Sequence, residues 1–237
     1  VVAEVESTNE VVSFTDISEN LSHYSEQFDN AYWSKSRCSV SADAGVAPDG
    51  TTTADKLIPN SGLQAASSVY ILRVVAGSSY TYSVYAKPDG FDYVTINFQT
   101  AGSGSTQGVR FNISTGAVDA SQNATGTITD AGNGWYRCSM IPTTTTATTS
   151  HMIAASAGGS FASYFNTPVT GDGSKGILIW GAQYETGTLT TYLPTTSAAL
   201  VGLTGVTRGA NGTTAASASS GDDIQQLPYA LLNVDMP

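Results

Sequence analysis

The sequence predicts an all-β protein: a jelly-roll β-sandwich inserted into a small discontinuous β domain. Three observations predict it. Short strand-like segments recur along the middle of the chain with turn residues between them. Long periodic runs of good helix formers are missing. And the first fifteen or so residues and the last thirty-five read as two halves of one unit, parted by a stretch of different character.

Composition supports this class. The 237 residues suit one large domain or two modest ones. Hydrophobic residues make up 41%, enough for a packed core, whereas only 12% are charged, well below the usual quarter. Ser, Thr, Gly and Ala fill the gap; Thr and aromatic residues suit strands, and Gly and Asn supply turns.

In chain order, residues 1–6 and 10–15 read as a hairpin around Ser7, Thr8 and Asn9, and residues 16–20 as a polar connector. The middle region then carries strand candidates at 37–42, 52–58, 68–75, 79–87, 92–99, 108–113, 125–130, 134–141, 150–155, 176–184 and 189–193. Turn signals punctuate them: Pro48-Asp-Gly50, Pro59-Asn-Ser-Gly62, Pro88-Asp-Gly90, Ser114-Thr-Gly116, Gly132-Asn-Gly134 and Gly171-Asp-Gly173. Period-2 alternation sets Tyr82, Val84 and Ala86 against Ser83, Tyr85 and Lys87. It sets Val94, Ile96 and Phe98 against Tyr93, Asn97 and Gln99. The Thr-rich run 143–149 reads as a solvent-facing strand or loop, residues 195–202 as a small-residue linker, and residues 224–237 as an apolar segment that packs on something.

The ends belong together. A strand over 203–208, followed by the Asn211-Gly212 turn, continues the hairpin begun at 1–15 once residues 21–202 are removed in thought. The expected division is residues 1–20 with 203–237 as a base domain and 21–202 as the sandwich. Insertion at a loop is tolerated when the guest's own ends lie close.

Charge excludes some functions. The net charge is −10, and the two ends hold about seven of those charges. Nucleic-acid binding needs clustered Lys and Arg, so it is not expected, and neither is binding to an anionic membrane surface. A cationic protein partner for the ends, or plain solubility, both fit. No signal peptide opens the chain, no apolar run reaches membrane length, and the missing initiator Met suggests a fragment or processed product. Cys38 and Cys138 show no metal-ligand spacing and leave a single disulfide or two free thiols open.

Two resemblances follow from particular motifs. Residues 207–215 (TRGANGTTA), with the strand at 10–15, resemble a small β module that recurs in tailed-bacteriophage virion proteins. Many relatives of that module place a His near Ala218, so a His-dependent role does not carry over. Its structural residues here are Glu10, Phe14, Arg208, Asn211 and Gly212. The second resemblance is to carbohydrate-binding-module-like jelly rolls of phage tail and head fibres. It rests on residues 24–33, 47–57, 82–87, 130–138, 171–173, 179–183 and 192–194, and covers roughly 21–196.

Several residues invite a functional reading. Trp33, Trp135 and Trp180 are able to stack on sugars, but each sits among apolar residues and reads as core. Tyr85, Tyr93, Asn97 and Gln99 alternate away from the core face. With Arg110, or with Arg73, they form a carbohydrate-binding candidate; the competing reading is solvated sheet or a subunit interface. Asp43, Asp49, Asp55 and Asp172 lack the spacing of a Ca²⁺ loop, and Asp172 reads as a turn residue. With His23 and His151 the only histidines, and no nucleophile elbow, zinc motif or phosphate loop, no catalytic residue, metal or cofactor is expected.

The resemblances together imply a virion structural protein of tail, fibre or capsid decoration, made in the bacterial host cytoplasm. Its base would dock on other virion proteins or on symmetry mates, with a trimer favoured by the fibre analogy. Its jelly roll would adhere to host surface glycans or reinforce the particle. Two other readings stand beside it: a secreted carbohydrate-binding module or lectin acting alone, and a glycan-cleaving tail enzyme.

Overall fold

The structure is a computed structural model describing residues 2–5, 10–13, 16–64, 67–75, 80–100, 106–143, 148–156, 169–204 and 224–226. It is all-β, with no helix among these residues. The chain divides into two compact units. One is Val1–Ser18 with Val201–Pro237, and the other is Glu19–Leu200.

In the first unit, β1 (Val2–Val5) pairs antiparallel with β2 (Glu10–Ser13) on one side and with β19 (Ile224–Gln226) on the other. Glu10 stands opposite Val5 in that ladder. Phe14, Arg208, Asn211, Gly212 and the turn at 7–9 lie outside the described residues. The expected polar connector at 16–20 is instead a strand, β3 (Asp16–Asn20), which pairs with β18 (Leu200–Thr204). The segment expected to extend the hairpin of residues 1–15 therefore starts earlier and pairs elsewhere. Ser18 and Asn20 are buried, so these polar residues are not solvated.

The second unit is the sandwich. Its first sheet runs β12 (Ala117–Gln122), β11 (Thr106–Asn112), β10 (Tyr93–Thr100), β15 (Thr148–Ser156), β8 (Ser67–Val75) and β4 (Ser34–Ser36). The second runs β13 (Ala124–Gly132), β14 (Trp135–Pro142), β9 (Tyr80–Asp89), β17 (Gly176–Thr186), β6 (Ala54–Pro59) and β5 (Cys38–Gly45). A short pair, β7 (Gly62–Gln64) with β16 (Val169–Gly171), stands apart. The chain passes repeatedly from one sheet to the other, as a jelly roll requires.

Alternation builds the core. From the first sheet, Val109, Ile96, Ile153 and Val69 form one row across four strands, by ladder register. From the second come Tyr82, Val84, Ala86, Cys138, Met140, Ile177, Ile179 and Tyr184, all in the same buried cluster. A smaller cluster of Ala47, Ala54, Trp135, Leu178 and Trp180 lies on the other face of the second sheet. All three tryptophans are buried: Trp33 and Trp180 donate their indole N–H to Tyr24 O and Thr53 Oγ1, and Trp135 to Val46 O.

Turn chemistry explains the connections. Asn133 (φ 53°) and Gly134 (φ 79°) both take the left-handed conformation that a two-residue hairpin between β13 and β14 demands. The Pro88-Asp-Gly90 signal behaves differently. Pro88 and Asp89 still pair with β17, and the chain then crosses to the other sheet. Asp172 accepts the backbone N–H groups of Ser174 and Lys175, which lowers its carboxyl to about 2 and makes it a turn residue. Cys38 and Cys138 are both free thiols. They sit on β5 and β14, separated by three intervening strands of one sheet.

Candidate functional site

The five predicted carbohydrate contacts do not form one surface. Tyr85 lies on β9 in the second sheet, while Tyr93, Asn97 and Gln99 lie on β10 and Arg110 on β11 in the first. Strands β9 and β10 follow one another in sequence but never pair, because the chain changes sheet between them. Asn97 and Arg110 are only 2% and 3% exposed, so neither faces solvent. Arg110 is held by Asp119 through Nε and Nη2, each at 2.5 Å, and lies 5.4 Å over the Tyr93 ring. This is a structural ion pair on a covered face. The side chains of Gln99 and Arg73 lie outside the described residues.

Tyr85 belongs to a different constellation. Across the outer face of the second sheet, ladder register lines up Arg137, Tyr85 and Trp180 on β14, β9 and β17. The register of β17 then slips between Trp180 and Gln183, with Gly181 at φ 63°. A Cβ on Gly181 would come within 3.0 Å of the Tyr85 ring and 3.1 Å of the Tyr192 ring. Glycine therefore lets two aromatic rings settle over the bulge. Tyr85 meets Trp180 at 5.3 Å and Tyr192 at 5.8 Å between centroids, and Tyr192 meets Trp180 at 4.7 Å. The Arg137 guanidinium lies 5.5 Å over Tyr85 from the other side.

What brings Tyr192 here is a strap. Residues 189–193, expected as a strand, pair with no strand; their backbone groups bond to side chains instead. Gln183 donates from Nε2 to Thr190 Oγ1 and Thr191 O, and accepts at Oε1 from Leu193 N at 2.8 Å. Glu185 accepts from Thr190 N and Oγ1, and Arg137 Nη1 donates to Thr190 O at 2.7 Å. Asn20 donates to Leu193 O, and Thr195 N donates to Ser25 Oγ. Gln183, Glu185, Asn20 and Ser25 are all buried, so this polar network is internal.

The rim of the cradle is mixed in charge. The Tyr192 hydroxyl shares hydrogen bonds with Ser25 Oγ (2.7 Å) and Glu26 Oε1 (3.0 Å). Burial raises the Glu26 carboxyl, partly offset by that Tyr192 bond. Burial likewise depresses Arg137, against the pull of Tyr85 and Glu185. Tyr85, Arg137, Glu26 and Tyr192 are all half-buried. The result is two tyrosine rings beside a guanidinium and a carboxylate. This arrangement offers apolar stacking together with hydrogen bonds to hydroxyls. Among the described residues no group of His, Cys, Asp or Glu is placed to hold a metal ion.

Of these residues the sequence offered Tyr85 as a contact and Trp180 as a ring able to stack on sugars but read as core; Arg137, Tyr192 and Glu26 fell inside the motifs 130–138, 192–194 and 24–33 with no role given to them. Arg137 was legible in principle: within β14, Trp135, Arg137 and Ser139 alternate against the core residues Cys138 and Met140. Tyr192 and Glu26 were not, since each reaches the site through a loop.

No protein family and no curated protein matches the chain. Among solved structures it resembles the N-terminal CBM22-1–GH10 modules of endo-1,4-β-D-xylanase 10B from Clostridium thermocellum, in complex with xylohexaose. The identity is 15%, the TM-score 0.39, and the match covers 74% of this chain and 29% of that one. A likeness of that degree bears on neither substrate nor activity, and the chain spans under a third of that structure's length.

Proposed function

We propose that the chain is a non-enzymatic display protein of a bacteriophage particle. Its discontinuous base unit docks on other virion proteins or on copies of itself, with a trimer favoured, and the sandwich is carried outward to adhere to host surface glycans. The observation that carries this reading is the nesting of the two units. One unit contains both ends of the chain, and the other is a single uninterrupted stretch. Such an arrangement holds a guest domain by two chain crossings, as a display module needs. The viral setting is supported by the TRGANGTTA segment at 207–215 and the series of jelly-roll motifs. Glycan contact is supported by the half-buried Tyr85 and Tyr192 rings beside Arg137 and Glu26. Individual contacts of this size are weak, and many copies on one particle raise the avidity.

The test has two arms. Antibody against the purified full chain should decorate intact particles; particles that lack the chain overturn the virion assignment. The full chain should be retained on host-cell polysaccharide, and Tyr85→Ala should abolish retention without loss of fold. Retention that Tyr85→Ala leaves unchanged removes the cradle from the adhesion role.

A further inference from the structure

The aliphatic layers of the sandwich give way at one end to a layer of different chemistry. In the first sheet, Gln107, Phe98, His151 and Ile71 form a row across β11, β10, β15 and β8. In the second, Met140, Tyr82 and Tyr184 form the row of β14, β9 and β17. Rings from the two rows meet: Tyr82 with Phe98 at 5.7 Å and with His151 at 5.9 Å, and His151 with Tyr184 at 4.3 Å. Gln107 follows the alternation of Val109 and Phe111 and so points inward.

Among the described residues of this layer, the Tyr82 hydroxyl and both Nε2 and Oε1 of Gln107 find no hydrogen-bond partner in the protein. Tyr82 is 0% exposed and Gln107 is 1% exposed. Bulk solvent reaches neither. Buried polar groups in folded proteins are paired almost without exception, and each one left bare costs a sizeable share of a domain's net stability. A carboxamide with both ends bare, in the same end layer as a bare phenol and with Phe98 beside each of them, has the mix of donors and acceptors that a water molecule satisfies.

We infer that this end layer is an internal hydration site, holding at least one ordered water between the Tyr82 hydroxyl and the Gln107 carboxamide. The water completes the hydrogen bonding of a layer that the protein alone leaves unfinished. The inference is independent of the proposed display role.

Two measurements on the full chain test it. A high-resolution crystal structure should show an ordered solvent peak within hydrogen-bonding distance of Tyr82 Oη or the Gln107 carboxamide; a dry layer overturns the site. In denaturant unfolding, Tyr82→Phe and Gln107→Leu should each raise the unfolding constant about fivefold, the worth of one net hydrogen bond. The double variant should fall short of the product, because the two side chains share the water. If the atoms are simply bare, either substitution lowers the unfolding constant, and the proposal fails. Should Gln107→Leu not fold, the solvent density and Tyr82→Phe decide.

Discussion

Tyr85 and Tyr192 face one another across Gly181, their ring centroids 5.8 Å apart and their planes at 76°. They lie 107 positions apart in the chain, and the missing side chain between them is what lets them meet. Gly181→Ala puts a Cβ against both rings at a φ of 63°. It should destabilise the protein by about 1–3 kcal/mol, from backbone strain together with overpacking. Thermal unfolding should show the loss, and near-ultraviolet circular dichroism should report the displaced aromatic rings.

Gln183 is the clamp of the strap at 187–196. It is buried and bonds to Glu185, Thr190, Thr191 and Leu193. Gln183→Leu keeps the volume but orphans the Leu193 N–H and removes the donation to Glu185, Thr190 and Thr191. A loss of about 2–4 kcal/mol is expected, and limited proteolysis should begin to cut within the strap. A strap that stays resistant would show that Asn20, Ser25 and Arg137 hold it without Gln183.

Asp55 ties three backbone amides together, accepting from Phe28 at 2.7 Å, Asp43 at 3.1 Å and Asp29 at 3.2 Å. Burial outweighs these bonds and pushes its carboxyl up to about 6. The folded value lies above the unfolded one, so the folded chain binds the proton more tightly. Asp55's contribution to stability is therefore fully present below about pH 4 and is lost as pH rises through about 6. Glu26 is shifted in the same direction. Unfolding between pH 4 and 7 should follow this slope, and Asp55→Asn should flatten its part. A slope unchanged in Asp55→Asn would remove Asp55 as its source.

The ends of the sandwich unit are stitched to each other. Tyr24 N donates to Thr196 O at 2.6 Å, and Ser25 N to Thr195 O at 3.2 Å. Residues 19–200 expressed alone should therefore fold with one cooperative transition. A molten or insoluble product would mean that the sandwich depends on its host unit.

The two thiols should behave as structural cysteines. Cys138 is fully buried and strongly raised by that burial, and Cys38 is pushed up to about 11 by partial burial. Both should react with a thiol reagent only on unfolding, and a reductant should leave the melting temperature unchanged.

The strands of the sandwich were legible because their information is local. Period-2 alternation in residues 80–87 and 92–99 depends only on which face is buried, and Asn133-Gly134 demands a hairpin through its own backbone freedom. The buried tryptophans and the turn role of Asp172 were read the same way. Other features had no local signal. Asp16–Asn20 has no apolar alternation and is a strand only because Leu200–Thr204 lies beside it. Residues 189–193 alternate well enough, yet side chains of Gln183, Glu185 and Arg137 take the bonds a ladder would have made. The candidate site failed as predicted because alternation tells which side of its own strand a residue occupies, not which sheet that strand joins. Composition and periodicity by themselves determined an all-β chain with a sandwich and its turns. Only the tertiary structure decided that β9 and β10 part company, so that Tyr85 meets Tyr192 and Arg137 while Asn97 and Arg110 are covered. The physical reason is that burial sets a strand's face from nearby residues, whereas pairing between strands is settled by backbone partners far away in the chain.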